Sequence, residues 1–240
     1  MTGKTGIIST DNTYHGNTMA VSQLSSRKPP IGGYAANIRR VPAPDTLRPV
    51  GGNADGQAQA FAREIQTKID DLEASGYGFS GFLFCPTFAN EGLPDLPKDF
   101  MLPAAKVIHA AGGILISDEV QPGFGRTGDT WWGHDWLGLS PDVVTLGKPM
   151  ANGHPVAAVV AKSEVMAAFR NAFGYFNTFG GNPVSCAAAA ATLDVIEQDN
   201  LIENAKEVGA EFLHSLYSIN HTSIANIRGR GLFIALELET

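Results

Sequence analysis

Short apolar runs alternate along this chain with longer segments of helical pattern, and this alternation restricts the possible folds more than any other feature. Five runs stand out: GIIS (6–9), GFLFC (81–85), GILIS (113–117), VVTL (143–146) and VAAVVA (156–161). Because each run is continuously apolar, it is typical of a strand that is buried on both faces. The alternation therefore predicts an α/β fold in which helices cover a mostly parallel sheet.

Helical periodicity fills the segments between these runs. In segment 55–75, four apolar residues share one helical face: Phe61, Ile65, Ile69 and Leu72. Segment 97–113 predicts a second helix, which has a proline near its start and ends at Gly112 and Gly113. Segment 182–219 is helical over almost its whole length, with a break predicted near Asp199. Segment 227–239 predicts a turn and then a strand with alternating faces.

Composition excludes several classes of protein. An apolar share of 44% and a charged share of 17% are those of an ordinary globular protein. The net charge of -7 and the lack of any Lys/Arg cluster argue against nucleic-acid binding. Cys85 and Cys186 have neither metal-ligand spacing nor a disulfide framework, so we expect no metal and a reducing cytoplasm. No segment has the length and apolarity of a signal peptide or a membrane span.

Two glycine-containing stretches suggest phosphate or dinucleotide binding, and neither fits well. GFGRTG (123–128) matches the G-x-G-x-x-G pattern, but five residues separate it from the preceding strand and no helical period follows it. It is better interpreted as a tight loop, so a nicotinamide-dependent oxidoreductase is the least favoured alternative. GKPM (147–150) fails as a phosphate loop because Asp142 and Pro149 occupy positions that require Gly and Ser or Thr.

Charged residues follow two of the predicted strands. Asp118 and Glu119 follow strand 113–117, and Lys148 lies just past strand 143–146. The two acids could be metal ligands, an acid/base pair or helix-capping residues. Since the carboxyl ends of parallel strands form the ligand-binding edge of an α/β sheet, an acid and the lysine can face one crevice.

A lysine in such a crevice can form a Schiff base with a carbonyl compound. An aldolase-type lysine needs only the carbonyl of the substrate. A pyridoxal 5'-phosphate (PLP) enzyme also needs an anion against the pyridine nitrogen, and Asp118 meets that need. Glu119 would point the opposite way if the strand continued.

Three segments together carry a family resemblance: LISDEVQPGFGRTG (115–128), PDVVTLGKPMANGHPVAAVVA (141–161) and YFNTFGGNPVSCAAAAATLDVIE (175–197). They resemble the class III aminotransferases of fold-type I PLP enzymes, nearest the branch with alanine–glyoxylate aminotransferase-like enzymes and phosphoethanolamine phospho-lyases. The resemblance implies a three-layer PLP-dependent transferase large domain at 1–204, without its N-terminal part. It also implies the truncated beginning of a small α+β C-terminal domain at 205–240, so the chain would be the middle portion of a family member.

The resemblance implies a role for each matching residue. Lys148 would hold PLP as a Schiff base and shuttle the proton, and Asp118 would pair with the pyridinium nitrogen. Val120 would pack on one face of the ring, and Gln121 would approach the ring hydroxyl.

The resemblance also implies roles for residues outside the ends of the two strands. In TYHG, Tyr14 would stack on the other ring face, with His15 as its neighbour. Thr178, in FNTFGG, would reach the cofactor phosphate of a partner subunit, which implies a homodimer with shared active sites. Cys85 occupies a position where many family members have a glutamate near the substrate.

The function implied by the resemblance is transfer of an amino group from an amino acid or amine to a keto or aldehyde acceptor. One alternative is a PLP-dependent phospho-lyase that acts on a phosphorylated amino alcohol. Another is a truncated, non-catalytic family remnant, because the family's phosphate-binding turn would precede residue 1.

Overall fold

The computed structural model describes residues 2–26 and 28–239. Its strands are β1 (Gly6–Thr10), β2 (Ile38–Val41), β3 (Phe79–Phe84), β4 (Ile114–Asp118), β5 (Val143–Leu146), β6 (Ala158–Ala161), β7 (Ile224–Arg230) and β8 (Phe233–Leu238). Its helices are α1 (Met19–Ser22), α2 (Ala54–Ala74), α3 (Leu102–Ala110), α4 (Gly133–Trp136), α5 (Ser163–Ala172), α6 (Pro183–Gln198) and α7 (Leu201–Tyr217), with a 3-10 turn at Lys148–Ala151. None of the helices within these ranges is long and apolar enough to cross a membrane.

Six strands form one sheet in the order β2-β1-β3-β4-β5-β6. Every neighbouring pair is parallel except β5 and β6, which are antiparallel. The predicted α/β class with a mostly parallel sheet is confirmed. Strands β3, β4 and β5 therefore end at the same edge, with Phe84 beside Ser117 and Asp118 beside Thr145.

The core lies between the sheet and helices α2 and α3. Phe61, Ile65, Ile69 and Leu72 of α2 are all buried there, which confirms the predicted helical face. Phe61 makes edge contacts with Phe82 on β3, at 6.2 Å between ring centroids. Each such side chain stabilises the fold by about 1.5–3 kcal/mol relative to exposure, so this layer fixes the position of the strands that carry the site.

The helical region near the C-terminus is broken as predicted. Helix α6 ends at Gln198 and α7 starts at Leu201, because Asn200 between them has left-handed backbone angles (φ 50°, ψ 42°). The predicted turn and strand at 227–239 are instead two antiparallel strands, β7 and β8, that form a separate hairpin. The segment predicted to turn contains the end of β7, because its backbone groups pair with those of β8.

Other sequence predictions were wrong in detail. Strand β2 was not predicted, because Arg39 and Arg40 interrupt its apolar pattern. Arg39 pairs with Asp71 on α2, and Arg40 stacks on the ring of Tyr34 at 3.8 Å. Strand β6 was expected to be buried on both faces, yet Val159 and Val160 are exposed because β6 is the edge of the sheet.

Candidate active site

The carboxyl edge of the sheet contains a cleft of about 190 Å³. Its lining residues come from segments that follow four strands: Tyr14, His15, Gly16, Cys85, Asn90, Asp118, Val120, Gln121 and Lys148. This is the edge where open α/β sheets bind their ligands. Six of the seven residues singled out from the sequence are therefore brought together, and Thr178 is not among the lining residues.

Asp118 lies at the end of β4, and three hydrogen bonds hold its carboxylate. Oδ1 accepts from the backbone N of Val120 at 3.1 Å and from Thr145 Oγ1 at 3.3 Å. Oδ2 lies 2.6 Å from Nδ1 of His15, whose side chain is only 1% exposed. These three contacts fix the orientation of the Asp118 carboxylate at the edge of the cleft.

His15 is held from both sides. Its Nε2 lies 3.0 Å from the hydroxyl of Thr13, while its Nδ1 meets Asp118. A ring nitrogen that faces a carboxylate carries the proton, and the partner of the other nitrogen fixes that tautomer. His15 therefore acts on the cleft through Asp118.

Glu119 points away from the cleft, as the alternation along β4 predicted. Its Oε2 accepts from the backbone N of Gly133 at 2.9 Å. Its Oε1 accepts from the backbone N of His134 at 2.9 Å and lies 2.7 Å from Nδ1 of the same histidine. The Glu119 side chain is fully buried. Its role is to anchor the start of α4, so the two adjacent acids have separate environments.

Lys148 begins the 3-10 turn that follows β5 and is exposed in the chain. Its backbone has a left-handed φ of 40°, which is uncommon for a residue with a side chain and costs about 1–3 kcal/mol. Its Nζ makes no ion pair or hydrogen bond with another residue in 2–26 or 28–239. A free amine therefore projects from a strained backbone position into the cleft.

Cys85 follows β3 directly and lines the same cleft. Burial, together with the nearby charges of Glu91 and Asp118, raises the pKa of its thiol to about 12, although a hydrogen bond with Thr87 opposes this shift. The thiol is therefore neutral at physiological pH and is not a nucleophile.

Asn90 is a lining residue that the sequence did not single out. It belongs to the loop after β3, in which Phe88 (φ 47°) and Leu93 (φ 52°) both have left-handed backbone angles. The one available signal was its position shortly after a predicted buried strand.

Thr178 lies in segment 173–181, whose side chains are exposed. Four large aromatic residues share this exposure: Phe173, Tyr175, Phe176 and Phe179. Phe176 is 82% exposed. Contiguous exposed aromatic surface is typical of a protein interface rather than of a free monomer surface.

Comparison with known proteins gives one consistent result. The model of the family described as "Aminotransferase class-III" matches residues 1–240. The chain is 33% identical to "Ethanolamine-phosphate phospho-lyase homolog 1" of Caenorhabditis elegans, over 95% of this chain and 52% of that protein. It is 34% identical to human "Alanine--glyoxylate aminotransferase 2, mitochondrial", over 97% of this chain and 49% of that protein.

Solved structures agree with the sequence relatives. A phospholyase from Arthrobacter in complex with phosphoethanolamine has a TM-score of 0.93 and 37% identity, over 100% of this chain and 57% of that one. A Bacillus anthracis aminotransferase has a TM-score of 0.84 and 30% identity, over 97% and 54%. The chain thus spans about half the length of the relatives it matches.

Proposed function

We propose, because this chain belongs to the class III aminotransferase family, that it transfers an amino group from an amino acid or amine to a keto or aldehyde acceptor. PLP is the cofactor of this family, and we assign Lys148 as the residue that holds it. The observation that carries the proposal is the juxtaposition of the unpartnered Lys148 amine with the buried Asp118 carboxylate in one cleft.

The residues of the cleft fit PLP. The group needs an amine for its aldehyde carbon, and Lys148 offers one that is not engaged elsewhere. It also needs an anion for its pyridine nitrogen, and Asp118 presents a carboxylate held by three hydrogen bonds. Val120 and Tyr14 supply the apolar and aromatic surfaces between which a flat ring can pack.

When bound, PLP withdraws electrons from the substrate carbon that carries the amino group. The chain's own residues set the conditions for this chemistry. Asp118 would pair with the ring nitrogen, and His15 orients the Asp118 carboxylate. Lys148 would hold the cofactor, and its Nζ would carry the proton that the reaction moves. Gln121 would contact the ring hydroxyl.

We further propose that two copies of the chain share their active sites. Thr178 does not line the cleft of its own chain, and it is surrounded by exposed aromatic residues. If segment 173–181 packs against a second copy, these residues become buried and Thr178 can reach the partner's cofactor phosphate. We keep the cytoplasm as the proposed compartment, residues 1–204 as the large domain, and residues 205–240 as the beginning of the small one.

The second candidate function is a phospho-lyase that acts on a phosphorylated amino alcohol. The similarity to the Arthrobacter phospholyase favours it, because its TM-score of 0.93 exceeds the value of 0.84 for the Bacillus anthracis aminotransferase. The same Lys148 and Asp118 would serve, but phosphate would leave the substrate instead of the amino group being passed to an acceptor.

Absorbance after addition of PLP to the purified chain tests the assignment of Lys148. We expect a visible band of lysine-bound PLP in the chain itself and in Lys162→Ala, because the Lys162 amine is occupied by Asp142 at 2.8 Å. We expect no such band in Lys148→Ala. A band in Lys148→Ala would exclude Lys148 as the anchor, and a chain without any band would support the non-catalytic remnant.

The products from phosphoethanolamine separate the two functions. A phospho-lyase releases inorganic phosphate from it without any keto or aldehyde acceptor. An aminotransferase releases no phosphate and needs the acceptor for turnover, with L-alanine as a second amino donor to assay. Phosphate release that stops in Lys148→Ala would assign the lyase reaction to this site.

A further inference from the structure

Arg228 on β7 contacts a loop that is distant in sequence and lies beside the cleft. Its Nε donates to the backbone oxygens of Gly92 and Leu93, both at 3.0 Å, and its Nη2 donates to Gly92 O at 2.6 Å. Its Nη1 donates to Glu237 Oε2 at 2.7 Å and to Asn226 Oδ1 at 2.9 Å, which fixes the guanidinium to the β7–β8 hairpin. The planar fork of arginine thus joins the hairpin to turn 88–93.

Turn 88–93 is a strained segment. Phe88 and Leu93, which are not glycines, both have left-handed φ values, 47° and 52°. Such residues cost about 1–3 kcal/mol each and persist only when their surroundings impose the conformation. The left-handed conformation of Phe88 is imposed by burial of its ring in the core. Two contacts hold Leu93 in this conformation: its carbonyl oxygen accepts from Arg228 Nε at 3.0 Å, and its backbone N donates to Phe88 O at 3.0 Å.

The same turn contributes a lining residue to the cleft. Asn90 lines the cleft beside Lys148. The next residue, Glu91, contacts strand β1: its Oε1 accepts a hydrogen bond from Thr10 Oγ1 at 2.6 Å. The turn is thus held at Phe88 by the core, at Glu91 by β1, and at Gly92 and Leu93 by Arg228. Loss of the Arg228 contact would free Gly92 and Leu93, the end of the turn that follows Asn90.

Asn90 is also a lining residue without a role in the proposed cofactor site. Asp118, Val120, Tyr14 and Gln121 account for the nitrogen, the two faces and the hydroxyl of the ring. Asn90 thus belongs, with Cys85 and Gly16, to the lining residues that have no assigned contact with the ring, and the amino substrate would face these residues.

We propose that Arg228 is a positioning residue of this site, which holds turn 88–93 so that Asn90 forms the substrate side of the Lys148 cleft. This inference rests on the proposed function, since it assumes that the amino substrate reacts at Lys148. It makes the β7–β8 hairpin part of substrate binding, although β7 and β8 supply no lining residue to that cleft.

The test compares Arg228→Ala with a matched control, Arg48→Ala. Both arginines contact Glu237, but Arg48 does so at 3.9 Å with a side chain that is 75% exposed, whereas the Arg228 side chain is 14% exposed. Three quantities are measured: absorbance of lysine-bound PLP, the dissociation constants of phosphoethanolamine and L-alanine from changes in that absorbance, and hydrogen–deuterium exchange of amides 88–93. Arg228→Lys, which keeps the charge without the fork, serves as a second variant if Arg228→Ala does not fold.

For Arg228→Ala we expect an unchanged PLP band, faster exchange confined to amides 88–93, and about tenfold weaker binding of the amino compound that the chain uses. Added guanidinium ion, at concentrations far below denaturing ones, should restore part of that binding, which a general loss of stability would not allow. Arg228→Lys should weaken binding less, and Arg48→Ala should match the parent chain.

Unchanged exchange at amides 88–93, or unchanged substrate binding with the PLP band intact, would overturn the positioning role while leaving the proposed function in place. Absence of the PLP band in the parent chain would instead overturn the proposed function, and this inference with it.

Discussion

Asp118 and Glu119 are adjacent in sequence, and their surroundings give them different tasks. Asp118 faces the cleft with His15 on one oxygen, whereas Glu119 is fully buried and bonded to the backbone at the start of α4. Substitution by the corresponding amides should therefore affect different properties of the protein.

Asp118→Asn should lower kcat/KM about 100-fold, because the ring nitrogen loses the charge that keeps it protonated. Glu119→Gln should lower Tm rather than kcat/KM, since loss of a buried, multiply bonded carboxylate costs about 1–3 kcal/mol, or about 2–12 °C in Tm for a chain of this size. Steady-state kinetics and thermal melts of the two variants check this, and equal kinetic losses would contradict the division of roles.

The two cysteines should differ in reactivity. The pKa of Cys85 is raised to about 12, mainly by burial, so at pH 8 almost none of its thiol is ionised, and the thiolate is the reactive form. Cys186 is exposed on α6. A thiol titration at pH 8 should count one fast thiol in the native chain and two after unfolding; two fast thiols in the native chain would be the contrary result.

Lys148 and Asp118 were singled out from the sequence, but Asn90, which lines the same cleft, was not. Lys148 and Asp118 could be recognised because charged residues at the ends of buried strands require an explanation. Asn90 could not, because its place depends on left-handed backbone angles at Phe88 and Leu93, which local preferences disfavour.

At the level of elements, Asp142 joins β5 to its neighbours. Its Oδ1 lies 2.8 Å from Lys162 Nζ after β6, and its Oδ2 lies 2.9 Å from His109 Nε2 on α3 and accepts from the backbone N of Leu115 on β4. Burial alone would raise the pKa of Asp142, but the bonds from Lys162, Leu115 and His109 outweigh it and hold the pKa below its ordinary value.

A lowered pKa means that the Asp142 carboxylate stabilises the folded chain above its ordinary value of 3.8, and that this contribution is lost as pH falls through the folded-state pKa. Asp142→Asn should therefore lower the free energy of unfolding by about 1–3 kcal/mol at pH 7. The difference from the parent chain should shrink below pH 4. Denaturant titrations at pH 7 and at a pH below 4 measure this difference, with the exposed Asp199→Asn variant as the control. A difference that is constant with pH would contradict the assignment.

Elements were predictable where one physical signal dominated. Strands β1, β3, β4 and β5 have continuous apolar runs because they lie inside the sheet, and β5 was predicted at its observed bounds. Strand β2 was missed because its arginines bond to groups far away in the sequence. The β7–β8 pairing was missed because only the folded chain shows which backbone groups meet.

At the level of the whole molecule, the exposed aromatic residues of segment 173–181 lead to a prediction about assembly. If these residues form the interface of the proposed homodimer, Phe176→Asp should shift the chain from dimer to monomer, since a charge buried there would be unpaired. Analytical ultracentrifugation measures this shift. Val160→Asp on the exposed edge strand β6 is the matched control and should leave the dimer intact. A monomeric parent chain would contradict the shared-site arrangement.

Lys148 is proposed to hold PLP in the cleft that it shares with Asp118. Borohydride reduction of the chain mixed with PLP, followed by peptide mass spectrometry, tests this directly because it fixes the cofactor to whichever amine holds it. We predict a single stoichiometric label on the peptide that contains Lys148, and its loss in Lys148→Ala. A label on another lysine, or none on the parent chain, would contradict the account.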